Sequence, residues 1–322
     1  TTISFSNVQS GKTSELVIPS FISFIGKQAF YGCESIKNLT LGEGIITIGA
    51  NAFKTCSSVV TLKILSNNIS DCGEGIFEEC YLNNVVFPAG MQVIPDKLFS
   101  KAHFASAAVI TIPATVTEIG DNAFAGTKTV PTNITSVKFE SGSQLESIGK
   151  NAFTYCTAIV GFKIPDTVVD IGASAFSYCA NLKEIIIPEN VSKIGSSAFL
   201  GCEVLTTIKY NAIAVTSSSK DIFKNCNIHT ILIGNKVTMI PAYLFYGAKF
   251  SVNQTTQEAV PVEIYLPVSL SRIGEYSFAN IVNLSAVHFG EGCVLSVIGT
   301  SAFSECTGLK TITLPDTVSE IG

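Results

Sequence analysis

Ten cysteines, three histidines and one Gly-Lys-Thr tripeptide are the residues of this 322-residue chain whose types and spacing could do chemistry. Eight cysteines recur at one position of a repeated phrase: Cys33, Cys56, Cys80, Cys156, Cys179, Cys202, Cys226 and Cys306. Cys72 and Cys293 lie elsewhere. Such a column could cross-link, ligate a metal or supply a nucleophile, and the spacing argues against each. No Cys-x-x-Cys pair occurs, and a straight column of thiols cannot surround zinc tetrahedrally. On successive turns of a repeat the Cα atoms would lie about 4.8 Å apart. Parallel side chains at that spacing keep the Cβ atoms too far apart for an unstrained disulfide. The same position elsewhere holds Ala102, Thr127, Ala248 or Ile281, so small apolar character is what it requires, and buried free thiols are expected.

The remaining candidates are weaker. His103, His229 and His288 fall on different repeats with no matching Ser or Cys nucleophile motif, so no catalytic triad is expected. Gly11-Lys12-Thr13 mimics the end of a phosphate loop, but Ser6 stands where its first glycine should be and no helix signal follows. It reads as a solvated turn. No Gly-x-Gly-x-x-Gly fingerprint occurs either. The expectation is a non-enzymatic chain with no catalytic, cofactor-binding or metal residues.

Composition narrows the class. With 47% hydrophobic and 14% charged residues the chain must fold around a large core. A net charge of −5 lacks the basic footprint of a nucleic-acid binder. No stretch approaches the roughly 18 consecutive apolar residues of a membrane span. The chain opens on Thr1 without a signal-peptide pattern and stops on Ile321-Gly322 just as another repeat begins, so a piece of a longer or processed protein is expected. Six Asn-x-Ser/Thr sequons begin at Asn38, Asn68, Asn133, Asn190, Asn253 and Asn283, too near the chance number to carry weight.

The element that must position all of these is the repeat itself. Ile-Gly-x-x-Ala-Phe-x-x-Cys begins at Ile25, Ile48, Ile148, Ile171, Ile194 and Ile298, and its Phe recurs at 30, 53, 77, 99, 124, 153, 176, 199, 223, 245, 278 and 303. Wider steps mark insertions around Thr127 to Thr135 and Lys249 to Val260. Between Leu182 and Leu205 the apolar residues Leu182, Ile185 and Ile187 alternate as in a strand that Pro188 ends. Gly195 then permits a tight turn, and Ala198, Phe199, Cys202 and Leu205 fall at the spacing of one helical turn. A lone unit cannot bury enough apolar surface to fold, so neighbours must supply the other side of its core. The reading is a single leucine-rich-repeat solenoid over residues 1–322, an α/β horseshoe of about 12 repeats. Parallel strands would line its concave face, and short helical or 3-10 segments its convex side. Residues 48–102 align without a gap on 194–248, down to Ile94-Pro95 and Ile240-Pro241, so a block of repeats has been duplicated.

In this geometry the outward strand positions form a concave strip. Its central column carries Lys63, Lys138, Lys163, Lys209, Tyr265 and His288 among Thr, Val, Ile and Leu, with mostly small side chains flanking. An ordinary polar sheet face accounts for such a column as readily as a binding site does. Read as a site, four lysines in an acidic chain favour an acidic protein or glycan, and Tyr265 and His288 add amphipathic contacts.

Written in full from Ile187 to Leu205, the phrase Ile-Pro-x-x-Val-x-x-Ile-Gly-x-x-Ala-Phe-x-x-Cys-x-x-Leu resembles the BspA-type leucine-rich-repeat proteins, and the likeness covers nearly the whole chain. The resemblance implies a secreted or surface-attached protein of host-associated microbes, adhesin-like, binding an extracellular protein or glycan. It brings no catalytic residues. The alternatives are a structural spacer, or an accessory module to a domain outside this sequence.

Overall fold

A computed structural model describes residues 15–105, 108–215, 219–250 and 261–322, with Phe250 described in its backbone only. Gly11-Lys12-Thr13, Asn253 and most of the second insertion lie outside the described residues. The chain forms two compact units, Thr1–Gln144 and Leu145–Gly322.

Each unit is a parallel β-solenoid in which every turn of chain contributes to stacked ladders. In the first, Glu15–Ile18, Asn38–Leu41, Thr61–Ile64 and Asn84–Val86 pair side by side, and Val109–Ile112 pairs with Ser136–Phe139. In the second, Gly161–Phe162, Glu184–Ile187, Thr207–Tyr210, Thr230–Ile233, Val262–Leu266 and Leu284–Phe289 make a six-stranded parallel sheet. Alternation along most of these strands buries one set of side chains and shows the other to solvent, as in the buried Ile185 and Ile187 beside the exposed Glu184 and Ile186. A second ladder of two-residue strands carries the Ile of each Ile-Gly pair, for example Asp170–Ile171 beside Lys193–Ile194.

The expected helical or 3-10 segments are absent among the described residues, and the hydrogen bonds explain why. Around most core Phe residues, alternate N–H groups leave the turn and reach carbonyls of the next one. Ser174 N donates to Ser196 O, Phe176 N to Ala198 O and Tyr178 N to Leu200 O, at 2.7 to 2.9 Å. A helix would need those N–H groups for its own i−4 carbonyls. The backbone accommodates the alternation by turning left-handed two residues before and two after the Phe, at Ser174 (φ 55°) and Tyr178 (φ 58°), and again at Ser197 (58°) and Gly201 (70°). Two left-handed residues within five preclude a right-handed helix. The Ala-Phe segment is thus a third ladder between turns of the chain, which is why about one turn of helical spacing is a misleading sign.

The glycine of Ile-Gly serves a different purpose from the turn freedom expected of it. A Cβ on Gly195 would fall 2.2 Å from the Ala173 nitrogen, and one on Gly172 would fall 2.6 Å from the Gly149 carbonyl carbon. Neither has positive φ; each lets its turn lie against the backbone of the preceding one.

Phenylalanine fills the interior. Phe53, Phe77, Phe99 and Phe124 in the first unit, and Phe153, Phe176, Phe199, Phe223, Phe245 and Phe278 in the second, are fully buried. Successive rings stack with centroids 5.2 to 5.9 Å apart, as in Phe176 on Phe199 at 5.3 Å and 2°. Phe30, stacked on Phe53, and Phe303, stacked on Phe278, are half-buried. Beyond area burial, each such pair contributes about 0.5 to 1.5 kcal/mol.

Candidate binding surface

The cysteine column is interior. Nine of the ten thiols are buried, Cys33 is half-buried, and none is joined in a disulfide. Six of the ladder thiols, Cys56, Cys80, Cys179, Cys202, Cys226 and Cys306, donate to the carbonyl of the Phe one turn earlier, as Cys179 Sγ to Phe153 O (3.2 Å), Cys202 Sγ to Phe176 O (3.1 Å) and Cys226 Sγ to Phe199 O (3.1 Å). Burial pushes the Cys179, Cys202 and Cys226 thiols up, so they stay protonated and are poor nucleophiles. Among the described residues no three His, Cys, Asp or Glu side chains are grouped as a metal site needs.

The outward faces of the long strands are what remains to meet a partner. In the second unit the register sets Ile186 beside Lys209, Lys209 beside Leu232, Leu232 beside Tyr265, and Tyr265 beside His288. Each step is about 4.8 Å. Ile186, Leu232 and Tyr265 are 39%, 43% and 57% exposed, so three large apolar side chains stand in solvent on one sheet face. Lys163 follows directly on the strand Gly161–Phe162 and is exposed. Lys209 Nζ lies 3.9 Å from Glu184 Oε2, a solvent-screened contact of little energetic weight.

The two aromatic candidates are brought together directly. The Tyr265 and His288 rings stack at 4.5 Å and 15°. Glu263, two residues before Tyr265 on the same face, accepts from the Tyr265 hydroxyl at 2.9 Å and meets His288 Nε2 at 3.0 Å through the same oxygen. The Tyr265 hydroxyl, then His288, hold the Glu263 carboxyl below the usual glutamate range, while Glu263 raises Tyr265. The alternation of the strand places Glu263 in the column flanking Tyr265 on that face, but the sequence reading did not count it among the contact residues. A cleft of about 630 Å³ opens beside His288, between Leu284–Phe289 and residues 311–317.

In the first unit Lys63 sits in register between Thr40 and Val86, and Lys138 beside Thr111. Lys63 and Lys138 are both exposed. A second aromatic pair, Tyr81 on His103 at 5.6 Å and 16°, joins the strands Tyr81–Leu82 and His103–Phe104. The sequence reading did not anticipate it, because those residues fall outside the regular strand columns.

This arrangement, parallel turns on a phenylalanine spine with thiols beside it, is matched by a family model described as the BspA type leucine rich repeat region, over residues 1–131, 128–251 and 260–322 in six copies. The chain belongs to the BspA-type leucine-rich-repeat family. A leucine-rich repeat protein from Bacteroides ovatus is similar in structure, with a TM-score of 0.50 at 25% identity over 95% of this chain and 91% of that one. Solved leucine-rich repeat proteins from Eubacterium ventriosum (TM-score 0.46, 23% identity, 96% of this chain and 81% of that one) and Faecalibacterium prausnitzii (0.38, 21%, 94% and 88%) also match, the latter described as a leucine rich cell surface protein. No curated protein sequence matches the chain. Among the described residues the interior positions of the BspA-type turns are committed to packing, which leaves the outward strand face to carry other chemistry. Among the described residues no helix is long and apolar enough to cross a membrane.

Proposed function

We propose that this chain is a non-enzymatic binding module of a secreted or cell-surface protein, adhesin-like, holding an extracellular protein or glycan against its outward strand faces. Lys63 and Lys138 in one unit, and Lys163, Lys209, Tyr265 and His288 in the other, are the contact residues of this reading. The observation that carries it is the row Ile186, Lys209, Leu232, Tyr265 and His288, five successive register positions that mix exposed apolar, aromatic and cationic groups. The adjacent Leu232 and Tyr265 expose apolar surface of the kind that marks recognition sites, and Tyr is among the residues enriched at interface anchors. Membership of the BspA-type family supports a surface protein.

The test is surface plasmon resonance of the full chain against a panel of extracellular-matrix proteins and glycans. The variants are Lys138→Glu/Lys163→Glu/Lys209→Glu and Tyr265→Ala/His288→Ala, each checked by thermal melting. A saturable partner lost by both is the expected result. A chain with no saturable partner, or with affinity unchanged in both variants, overturns the reading.

A further inference from the structure

A groove in the second unit, away from the Tyr265 and His288 pair, has the chemistry of a ligand site of its own. It lies where three successive strands run out into their turns, and is an open depression of about 500 Å³, within the range of roughly 300 to 1,000 Å³ usual for small-ligand sites. Asp166, Glu189, Asn211, Asn235 and Lys236 line it. Lys236 Nζ donates to both carboxylate oxygens of Glu189 at 3.0 Å, reaching two turns back along the stack and past Asn211. The Asn211 and Asn235 amides make no side-chain hydrogen bond among the described residues, so both present a free donor pair and a free acceptor. Gly234 keeps the space open, since a Cβ there would fall 2.6 Å from Asn211 Oδ1. Asn190 Nδ2 fixes one rim by donating to the Asp166 carbonyl at 2.7 Å. Ile186, exposed, and Pro188, buried, supply an apolar patch on its wall.

The duplicated block shows that the two amides and Lys236 are not demanded by the fold, although Glu189 has a counterpart in Glu43. At an offset of 146 residues, Asn211, Gly234, Asn235 and Lys236 align on Leu65, Pro88, Ala89 and Gly90, while the core residues Phe199, Phe223 and Phe245 align on Phe53, Phe77 and Phe99. Both blocks build the same spine, and one of them carries amides and an ion pair in addition.

We propose that this groove binds a neutral oligosaccharide. Its only cation is neutralised by a bidentate carboxylate and Asp166 adds a negative charge, which disfavours phosphate, sulfate or carboxylate ligands. Two amides and a carboxylate offer alternating donors and acceptors to the vicinal hydroxyls of a sugar ring, and Ile186 with Pro188 meets its C–H face. The proposal does not depend on the strand-face reading above.

Saturation-transfer difference NMR on the full chain tests it, with maltotriose and tri-N-acetylchitotriose as neutral probes and 3′-sialyllactose as the acidic one. The decisive variant, Asn211→Leu/Asn235→Ala/Lys236→Gly, installs the residues that the other block already carries at these positions; Asn235→Ala alone is the milder version if the triple variant melts early. Expected is saturation transfer to at least one neutral probe, with Kd of about 1 mM weakened roughly tenfold by the variant. Tyr265→Ala, outside the groove, leaves that signal unchanged while weakening a strand-face partner. No transfer to either neutral probe, equal transfer in the variants, or transfer to the acidic probe alone overturns the proposal.

Discussion

The thiol of Cys202 donates to the carbonyl of Phe176 on the preceding turn, 3.1 Å away, in the interior of the second unit. One side chain thereby satisfies a backbone group that would otherwise lack a second donor, while its sulfur packs beside the phenylalanine spine. This explains cysteine over alanine at that column without invoking cross-linking or metal.

For Cys202→Ala the expected loss is about 1 kcal/mol, from a weak hydrogen bond and a small void. Denaturant titration checks this, and an unchanged midpoint would sink the idea that the thiol bond matters. Native-state alkylation at mildly alkaline pH should label Cys33 first, because it is half-buried while the other nine thiols are buried.

Gly195→Ala places a methyl group 2.2 Å from the Ala173 nitrogen, so two turns must separate. A cost of about 3 kcal/mol or more is expected. Gly161, where a Cβ would meet nothing within 4 Å, is the control. Gly161→Ala should change stability by less than about 0.5 kcal/mol or raise it slightly. Equal melting temperatures for the two variants would contradict the close-approach account.

Tyr210 is fully buried, and its hydroxyl has no hydrogen-bond partner among the described residues. Tyr210→Phe removes an unsatisfied polar atom, so stability should stay level or rise by up to about 1 kcal/mol. Burial raises the Tyr210 pKa. Its neutral form therefore contributes fully below the unfolded tyrosine pKa, and the contribution is lost as pH climbs from there through the higher folded value. Alkaline melts of the two proteins should diverge, with the phenylalanine variant the more resistant; coincident curves would rule this out.

Glu263 titrates below an ordinary glutamate because the Tyr265 hydroxyl, then His288, hydrogen-bond its carboxylate. Any stability from this contact is present above the unfolded glutamate pKa and lost as pH falls through the folded one. In a carbon-detected NMR titration, Tyr265→Phe should move the Glu263 midpoint upward. A midpoint that does not move means the hydroxyl bond is absent in solution.

The family and the solenoid were legible because their signal is local and periodic. Phe and Ile at fixed intervals state which side chains leave water, and the strand alternation of Ile185 and Ile187 around Ile186 states which face outward. Lys209, Leu232, Tyr265 and His288 could be placed in one column from the spacing alone, because a repeat in fixed register carries each position onto its neighbour.

Only the tertiary structure decided the rest, because it depends on what the adjacent turn offers. The spacing of Ala198, Phe199 and Cys202 suits a helical turn, yet the N–H of Phe199 bonds Ile222 O on the next turn, and that choice of acceptor made the segment a ladder. Gly195 reads as a turn residue until the Ala173 backbone is found against it. The Glu263 contact and the ion pair of Glu189 with Lys236 join residues 25 and 47 positions apart, separations fixed by the lengths of the intervening turns rather than by any local pattern.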